Sequence, residues 1–449
     1  MRSTGENIKF NSVREALEEL GIKHTENDDS AVLVWYDSKN TNKAETFTQL
    51  KNWQVVNRIP SISVICRKAP LARLMNKLVE LYPELYDFWP KTFILPFSKE
   101  EFVDYYCEHN VKELNHNNKN ISTQKNRKCN PKSFLIKPDN GSLGKGIKII
   151  PQGFSRDYIE NELNHKFLSV AQEMIHPTNA IQNTKFDLRV YCLVTNINPP
   201  EIYVFRDGVA RFCSETMSTN DPVFSHITNV TLNMERTKKV KKLSRLISDV
   251  FNILKKKHKV DIDHLWNEID KICALTVMSS IKYLVKSEYD HCPKIGYQRC
   301  FQILGFDIIL DENFKPYLLE VNYRPLLDFH SKYEQKMKVK MIKEALTLAL
   351  PAEIVQKLID KKIGTLNEEN WDKFISEEKN HHKIAYISFY YHLSRREKSS
   401  WNRVWPSDDP DKSSWNTLLN GIMNLPFNRL PGFLYMPNDF KKCEEDNTA

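Results

Sequence analysis

The apolar and polar pattern of the chain is most informative between residues 301 and 327. Two apolar runs, at 306–310 and 317–321, flank the polar turn Asp311-Glu312-Asn313. Alternation with a period of two on either side of a polar turn predicts an antiparallel β-hairpin.

Three polar residues interrupt the apolar pattern of this hairpin: Asp307, Glu320 and Asn322. Counting back through the turn places Asp307 within one residue of the position opposite Glu320. Two carboxylates that face each other among aliphatic side chains repel and lose hydration, which is costly unless a cation or a donor compensates. Carboxylate and amide oxygens suit Mg²⁺ bound together with nucleotide phosphates. An exposed hairpin face with ordinary surface acids is the alternative.

The rest of the pattern predicts a mixture of helices and strands. Residues 5–100 combine short apolar runs, a helical stretch at 71–81 and several prolines, which indicates a small α/β unit. Residues 109–132 hold few apolar residues and many asparagines, which is typical of a mobile loop at a boundary. A basic helix is predicted at 332–350, and the aromatic residues of 386–437 are numerous enough to pack on the body.

A glycine-rich loop, PDNGSLGKG at 138–146, separates two predicted strands. Glycines let backbone N–H groups approach phosphate oxygens, and Lys137 and Lys145 would supply positive charge. The loop differs from a P-loop because GxxxxGK[ST] is absent and a strand follows it rather than a helix. A plain glycine hairpin is the alternative.

Lys185, Asp187 and Arg189 alternate with apolar residues just before the run at 190–194. That run predicts a fully buried central strand, so we expect the three charges where a core strand meets a cleft. A surface strand with charges facing water would show the same alternation.

Apolar runs at 202–205 and 209–212 predict a second hairpin that turns at Asp207-Gly208. This hairpin would place Arg211 on its return strand. Further polar groups within or beside apolar sequence are Gln172-Glu173 and Thr228-Asn229.

Composition narrows the class of protein. The chain has 449 residues, which suffices for two or three packed domains. Its nine cysteines show no CxxC spacing, so we expect a reducing compartment and neither a disulfide framework nor a zinc site. There is no apolar run of membrane-spanning length and no apolar signal core near the N-terminus, so we expect neither a membrane span nor secretion.

The net charge of +8 is concentrated in two stretches, at 238–259 and 332–343. Such clusters favour a polyanionic partner, protein or nucleic acid. Two solvated helix faces in a lysine-rich protein are the alternative.

Taken in order, these residues resemble the tubulin tyrosine ligase-like family of amino acid ligases. The resemblance spans about residues 31–350, and its most specific motifs are KFDLRVYCLV, HITN, GFDIIL and YLLEVN. It implies an α/β (α+β) ATP-grasp fold with N-terminal, central and C-terminal subdomains and a helical, aromatic C-terminal extension. The expected boundaries are an N-terminal subdomain at 1–108, a flexible loop at 109–132, a central subdomain at 133–184, a C-terminal subdomain at 185–350 and the extension at 351–449.

The resemblance also implies roles for individual residues. Asp307, Glu320 and Asn322 would bind Mg²⁺, in agreement with the hairpin pattern. Arg189 and Arg211 would bind the carboxylate of the incoming amino acid and, with Lys185, act in catalysis. Residues 172–175 would line the adenine through their backbone. The full set of expected nucleotide contacts is Lys137, Gly144, Lys145, Gly146, Ile147, Gln172, Glu173, Ile175, Lys185, Asp187, Thr228 and Asn229.

Within the family, the motifs ISVICRKAPL and FWPKTFILP are most similar to the glutamylating branch. The implied activity is ATP-dependent addition of free glutamate to γ-carboxylates in tubulin tails through an acylphosphate. Acidic tubulin tails, rather than nucleic acid or a membrane, would be the partner of the basic stretches. The implied protein is a monomer of the cytoplasm and the microtubule cytoskeleton, including the cilium, basal body or centriole. A glycylase, a ligase for another acidic protein and a catalytically silent microtubule binder are the alternatives.

The chain departs from the family pattern directly after the Glu-Val-Asn motif. The family typically has a small residue and then Ser-Pro-Ser there, whereas this chain has Tyr323-Arg324-Pro325-Leu326. Because this turn adjoins the expected amino acid and acceptor pocket, its bulky residues leave the choice of substrate open.

Overall fold

The structure is a computed structural model of the whole chain. It describes the following residues: 2–4, 8–25, 29, 31–37, 44–51, 53–110, 132–141, 146–163, 167–178, 181, 183–213, 243–292, 299–349, 369, 373, 399–407, 409 and 412–424. These residues form three sheets with helices packed on them, which confirms the expected mixed α/β class.

A small parallel sheet lies near the N-terminus. Its strands, in the spatial order β2-β1-β3-β4, are β1 (Arg2–Thr4), β2 (Lys23–His24), β3 (Leu33–Val34) and β4 (Val55–Val56). Helices α1 (Asn11–Glu19), α2 (Ala44–Thr48), α3 (Ser63–Cys66) and α4 (Lys68–Leu81) accompany it. Helix α4 confirms the helical stretch predicted at 71–81, and its apolar residues are buried from Ala69 to Leu78.

A second, antiparallel sheet has the order β5-β8-β6-β7. Its strands are β5 (Thr92–Leu95), β6 (Phe134–Pro138), β7 (Lys148–Ile150) and β8 (Ser169–Glu173), and helices α5 (Lys99–Asn110) and α6 (Arg156–Glu162) cover it. Strands β6 and β7 pair on either side of the glycine-rich loop, as predicted. Strand β5 belongs to this sheet, although its sequence lies within the N-terminal unit expected at 1–108.

The largest sheet is antiparallel and holds most of the predicted site. Its order is β11-β10-β9-β12-β13, and β14 also pairs with β10. The strands are β9 (Phe186–Ile197), β10 (Pro200–Phe212), β11 (Ser244–Leu246), β12 (Gln302–Leu310), β13 (Pro316–Asn322) and β14 (Trp401–Trp405). The remaining helices are α7 (Ile247–Ile253), α8 (Ile262–His291), α9 (Lys332–Ala349) and α10 (Ser413–Asn424), and a π-helical turn spans Leu254–His258.

The hairpin predicted at 306–321 is confirmed as β12 and β13, and Asp307 pairs directly with Glu320. Every residue of β12 is buried, because apolar clusters cover both faces of the sheet. The run at 190–194 is also fully buried, as predicted. Helix α9 confirms the basic helix predicted at 332–350. None of the helices in the described part of the chain is long and apolar enough to cross a membrane.

The hairpin predicted around Asp207-Gly208 is wrong, since β10 runs through this dipeptide as one strand. Its pairing with β9 is irregular between Val204 and Gly208. A Cβ atom on Gly208 would lie 2.4 Å from the carbonyl oxygen of Arg189 and 2.8 Å from Ile247 Cδ1. The glycine therefore permits a close backbone approach at a bulge, rather than a chain reversal.

Much of the predicted C-terminal extension at 351–449 lies outside the described residues. Within its described part, Trp401, Trp405 and Trp415 are at most 5% exposed. The aromatic residues of this part pack on the body, as predicted.

Candidate active site

Four neighbouring strands carry the charged residues of the predicted site to one place. Asp187 and Arg189 lie on β9, Arg211 on β10 and Asp307 on β12. Hydrogen-bonded pairing places Asp307 beside Arg189 on one side and Glu320 on the other. Arg211 pairs with Asp187 in the same way. Strand register therefore assembles the cluster from residues far apart in sequence.

Asp307 is held by two arginines. Arg189 donates from Nε to Oδ1 over 2.5 Å and from Nη2 to Oδ2 over 3.1 Å. An Nη2 atom of Arg211 lies 2.8 Å from Oδ2. Burial raises the pKa of the Asp307 carboxyl, but the two guanidinium groups outweigh it and hold the pKa well below its ordinary value. Asp307 is therefore a carboxylate at any physiological pH.

Arg211 joins the second acid of the row. It donates from Nε and Nη2 to the two oxygens of Asp187, each over 2.7 Å. Burial lowers the pKa of Arg211, but the Asp187 and Asp307 charges raise it well above its ordinary value. Asp187, Arg211, Asp307 and Arg189 thus form a buried chain of alternating charge.

The donor set expected for Mg²⁺ is brought together. Asn322 Nδ2 lies 3.3 Å from Asp307 Oδ2 and 3.4 Å from Glu320 Oε1. Rotating the amide by half a turn would present its oxygen at the same point. Two carboxylates and one amide within hydrogen-bond distance offer only oxygen ligands, which fits Mg²⁺.

Lysines approach this donor set from helix α4 and from strand β6. Lys137, on β6, is 7% exposed, and its Nζ donates to Gln172 Oε1 over 2.7 Å. Burial is the main cause that brings the pKa of Lys137 down to about 8; the charges of Lys68 and Lys185 act in the same direction, and those of Glu320 and Asp307 oppose them. The cleft therefore holds three cations beside two acids, which suits phosphate oxygens and a metal ion together.

Sequence reasoning missed Lys68. Its Nζ donates to the carbonyl oxygen of Gly141 over 2.8 Å and lies 3.7 Å from Glu320 Oε2. The available signal was its position, because a lysine in the first turn of α4 opposes the helix dipole. Lys68 thus connects the start of the glycine-rich loop with Glu320.

Asp139, at the start of the glycine-rich loop, was also missed. Arg67 Nε donates to Oδ2 over 2.9 Å and the backbone N–H of Ala69 donates to Oδ1 over 2.8 Å. Gly146, at the far end of the loop, has a φ of +74°, a conformation that favours glycine. Ile147 follows it and is half-buried. Asp139 therefore anchors the loop to the turn between α3 and α4.

Some predicted contacts lie elsewhere or beyond the described residues. Strand alternation turns Glu173 away from Gln172, and Lys132 Nζ lies 2.9 Å from Glu173 Oε2. Lys185 is 5% exposed and precedes β9, and burial lowers its pKa. Ile175 is half-buried just beyond β8. Gly144, Lys145, Thr228 and Asn229 lie outside the described residues.

The unusual turn after Asn322 reaches the N-terminal sheet. Arg324 donates from Nη1 to the carbonyl oxygen of Asp37, and Gln302 Nε2 donates to the carbonyl oxygen of Tyr323 over 2.5 Å. Tyr323 and Arg324 line a small cavity together with Asn57 and Arg58. This cavity is close to the row of charges, because Pro325 packs near Gly305, against which the Arg189 side chain also lies.

Comparison with known proteins gives a consistent result. A family model described as the tubulin-tyrosine ligase family matches residues 47–358. The chain is 31% identical over 352 residues to the mouse protein named tubulin polyglutamylase TTLL6, and the aligned region covers 76% of this chain and 39% of that protein. It is 31% identical over 355 residues to human tubulin polyglutamylase TTLL7, covering 76% and 37%. It is 32% identical over 359 residues to human tubulin polyglutamylase TTLL13, covering 76% and 40%. The chain thus spans about two fifths of the length of these relatives.

Proposed function

Since the chain belongs to the tubulin-tyrosine ligase family, we propose that it is an ATP-dependent ligase that adds glutamate to γ-carboxylates of glutamates in tubulin tails. The names of its relatives support glutamate and tubulin as substrates. The observation that carries the proposal is the cleft in which Lys68 Nζ lies 3.7 Å from Glu320 Oε2 and the Lys137 ammonium interacts electrostatically with Glu320 and Asp307.

In this proposal the second and third sheets are the central and C-terminal subdomains of an ATP-grasp fold, and nucleotide binds between them. Lys137 and Lys68 would hold phosphate oxygens, and the glycine-rich loop would cover them. Asp307, Glu320 and Asn322 would hold Mg²⁺. When bound, ATP with its Mg²⁺ supplies the phosphoryl group that converts an unreactive acceptor carboxylate into an acylphosphate.

The arginines have two roles in this scheme. Arg189 and Arg211 keep the Asp307 carboxylate ionised and oriented, which preorganises a metal ligand. Guanidinium groups so placed also suit the carboxylate of the incoming glutamate and the oxyanion that develops when its amine attacks. Fixing the reactants in one cleft supplies a further part of the acceleration.

Tyr323 and Arg324 favour a second candidate function, a ligase of the same reaction type with a different substrate. Their side chains line the cavity beside the row of charges, where the family typically has small residues. Glycine as the co-substrate, or another acidic protein as the acceptor, is therefore the alternative. A catalytically silent microtubule binder is disfavoured, because binding microtubules requires no grouped oxygen ligands. Cytoplasmic, microtubule-associated localisation belongs to the same proposal.

One assay separates these functions. The chain is incubated with Mg²⁺, ATP, microtubules and either labelled glutamate or labelled glycine. We expect glutamate incorporation that depends on ATP, with a loss of about 10²-fold or more in Glu320→Gln, since that change removes a charged metal ligand. The conservative control is Glu312→Gln in the exposed turn of the same hairpin, which should retain full activity.

Other outcomes are equally informative. Glycine incorporation would select the second candidate, and co-sedimentation with microtubules without incorporation would select the silent binder. Glutamate incorporation that survives Glu320→Gln would overturn the assignment of the metal ligands.

A further inference from the structure

The end of helix α8 brings a carboxylate and a thiol against a second thiol. Glu288 and Cys292 are four residues apart at the end of the helix, and therefore lie on one face. Cys300 lies two residues before β12. Cys292 Sγ and Cys300 Sγ are 3.5 Å apart. An oxygen of Glu288 and the two sulfur atoms all lie within 4.8 Å of one another.

We propose that Glu288, Cys292 and Cys300 form a binding site for Zn²⁺, separate from the ligase cleft. A Zn–S distance of about 2.3 Å places two sulfurs of a tetrahedral site about 3.8 Å apart, close to the separation observed here. Three protein ligands and one water would complete the tetrahedron. The absence of CxxC spacing predicted that the chain has no zinc site, and this proposal departs from that expectation because Cys292 and Cys300 meet through the fold.

The ligand types select zinc over other occupants. Thiolates are soft ligands that Mg²⁺ does not use, so Zn²⁺ is favoured over the Mg²⁺ expected in the cleft. A disulfide between Cys292 and Cys300 would gain nothing from the Glu288 carboxylate, whereas Zn²⁺ gains a third ligand. The carboxylate therefore favours the metal.

The surroundings balance the charge of such a site. Two thiolates and a carboxylate carry three negative charges, of which Zn²⁺ neutralises two. Arg299 is 2% exposed, adjoins Cys300 in sequence and interacts with its sulfur electrostatically, so its guanidinium supplies the third positive charge. The C-terminus of α8 also favours a cation through the helix dipole.

The role of this zinc would be structural, because its ligands join three parts of the fold. Cys300 pairs with Val56 of the N-terminal sheet, and the N–H of Phe301 donates to the Val56 carbonyl oxygen over 3.0 Å. Strand β12, which carries Asp307, starts at the next residue. A metal at Cys300 would therefore fix the end of α8 against the junction of two sheets.

A second thiol pair provides a matched control. Cys192 and Cys273 interact through a hydrogen bond and both are fully buried. The nearby Asp270 carboxylate is engaged by Arg206 over 2.7 and 2.6 Å. Among the described residues, only the cluster of Glu288, Cys292 and Cys300 brings three such ligands together.

The test uses the full chain, reduced, stripped with a chelator and kept in excess Mg²⁺. Co²⁺ is titrated in, and thiolate-to-cobalt charge-transfer absorption is followed, because oxygen ligands of the ligase cleft give no such band. We expect one equivalent of Co²⁺ to bind and Zn²⁺ to displace it. Cys292→Ala and Cys300→Ala should lose the band, Glu288→Gln should weaken binding about tenfold or more, and Cys273→Ala should keep wild-type binding.

Three results would overturn the zinc site. These are a wild-type protein without the charge-transfer band, a band that persists in both Cys292→Ala and Cys300→Ala, and a freshly isolated protein whose mass and thiol count show a 292–300 disulfide. Circular dichroism reports whether each variant folds. If Cys300→Ala does not fold, Cys292→Ala and Glu288→Gln, which alter the more exposed side of the cluster, decide the question.

Discussion

Asp307 carries its charge where it is 3% exposed, so two arginines rather than water must stabilise it. Removing one partner of such a buried set leaves an uncompensated charge, which costs far more than the loss of a surface pair. The row of Asp187, Arg211, Asp307 and Arg189 therefore holds neighbouring strands together through ion pairs with little exposure to water. The lysines on the opposite side of the cleft have less compensation and are better suited to bind an anionic ligand.

The charge of Lys68 should contribute to ATP binding. Lys68→Met removes a cation that lies close to both the glycine-rich loop and Glu320. We expect the KM for ATP to rise about tenfold, as measured in the glutamate-incorporation assay, because a charge-assisted contact contributes about 1.5–3 kcal/mol. Lys77→Met on the same helix is the matched control, since Lys77 pairs with Glu80 on the surface. Equal effects of the two changes would contradict a role for Lys68 in the cleft.

Lys137 predicts a pH dependence. Burial lowers its pKa to about 8, so in the free protein Lys137 loses its proton as the pH rises through about 8. A neutral amine attracts phosphates less, so ATP affinity should fall between pH 7 and pH 9, as measured by calorimetry in Mg²⁺. Lys137→Arg should bind ATP with a flatter profile, because arginine stays charged. An unchanged slope in Lys137→Arg would show that another group titrates.

Strand pairing is what brings the charges together at the scale of elements. Strands β9 and β12 are adjacent in the sheet although about a hundred residues separate them in the chain. Their apolar residues fill cores on both faces, so a shift of register by one residue would exchange the two faces. The packing of the sheet thereby fixes the geometry of the site.

Gly208 tests this dependence on close strand packing. In Gly208→Ala the new Cβ would lie 2.4 Å from a backbone oxygen of Arg189, so the strands must separate. We expect a loss of about 1–3 kcal/mol in the free energy of unfolding, measured by urea denaturation. Gly421→Ala, in helix α10 with only Tyr82 Oη at 3.8 Å from the new atom, should instead gain up to about 1 kcal/mol. Neutral behaviour of Gly208→Ala would show that the bulge adapts.

At the scale of the whole molecule, the two basic stretches differ. In the stretch at 332–343, Lys338 is buried against Glu334, and Lys343 pairs with Glu19 of α1. In the stretch at 238–259, residues 238–242 lie outside the described residues, but the π-helical turn exposes Lys255, Lys256, Lys257 and Lys259. This turn is the better candidate for contact with acidic tubulin tails.

Reversing the charge of lysines in each basic stretch tests which stretch contacts microtubules. Replacing the four exposed lysines of 255–259 by Glu should weaken microtubule co-sedimentation about tenfold at low salt. The difference from the unmodified protein should shrink above about 0.5 M salt, because salt screens the charges. The control variant reverses four lysines of helix α9 (Lys332, Lys336, Lys340 and Lys343) and changes net charge equally. Equal weakening by both variants would indicate a non-specific effect of net charge.

The local helices and strands could be predicted from the sequence alone. The hairpin of β12 and β13, helices α4 and α9 and the buried run of β9 followed from periodicity, because side chains on one face of an element must share one environment. The position of Asp307 opposite Glu320 followed to within one residue, and the irregularity between Asp307 and Ile308 sets the exact pairing. The order of strands in the three sheets had no such local signal.

Which distant residues meet depends on how the elements pack in the complete fold. The tertiary structure placed Lys68 and Asp139 in the cleft, showed β10 as one strand with a bulge at Gly208, and brought Cys292 to Cys300 beside Glu288. Each of these depends on contacts between elements that are far apart in the chain. Such contacts are stabilised by burial and by the balance of charges, and neither leaves a periodic pattern in the sequence. The hairpin acids could therefore be predicted to lie together, whereas the positions of Lys68, Cys292 and Cys300 relative to other elements could not.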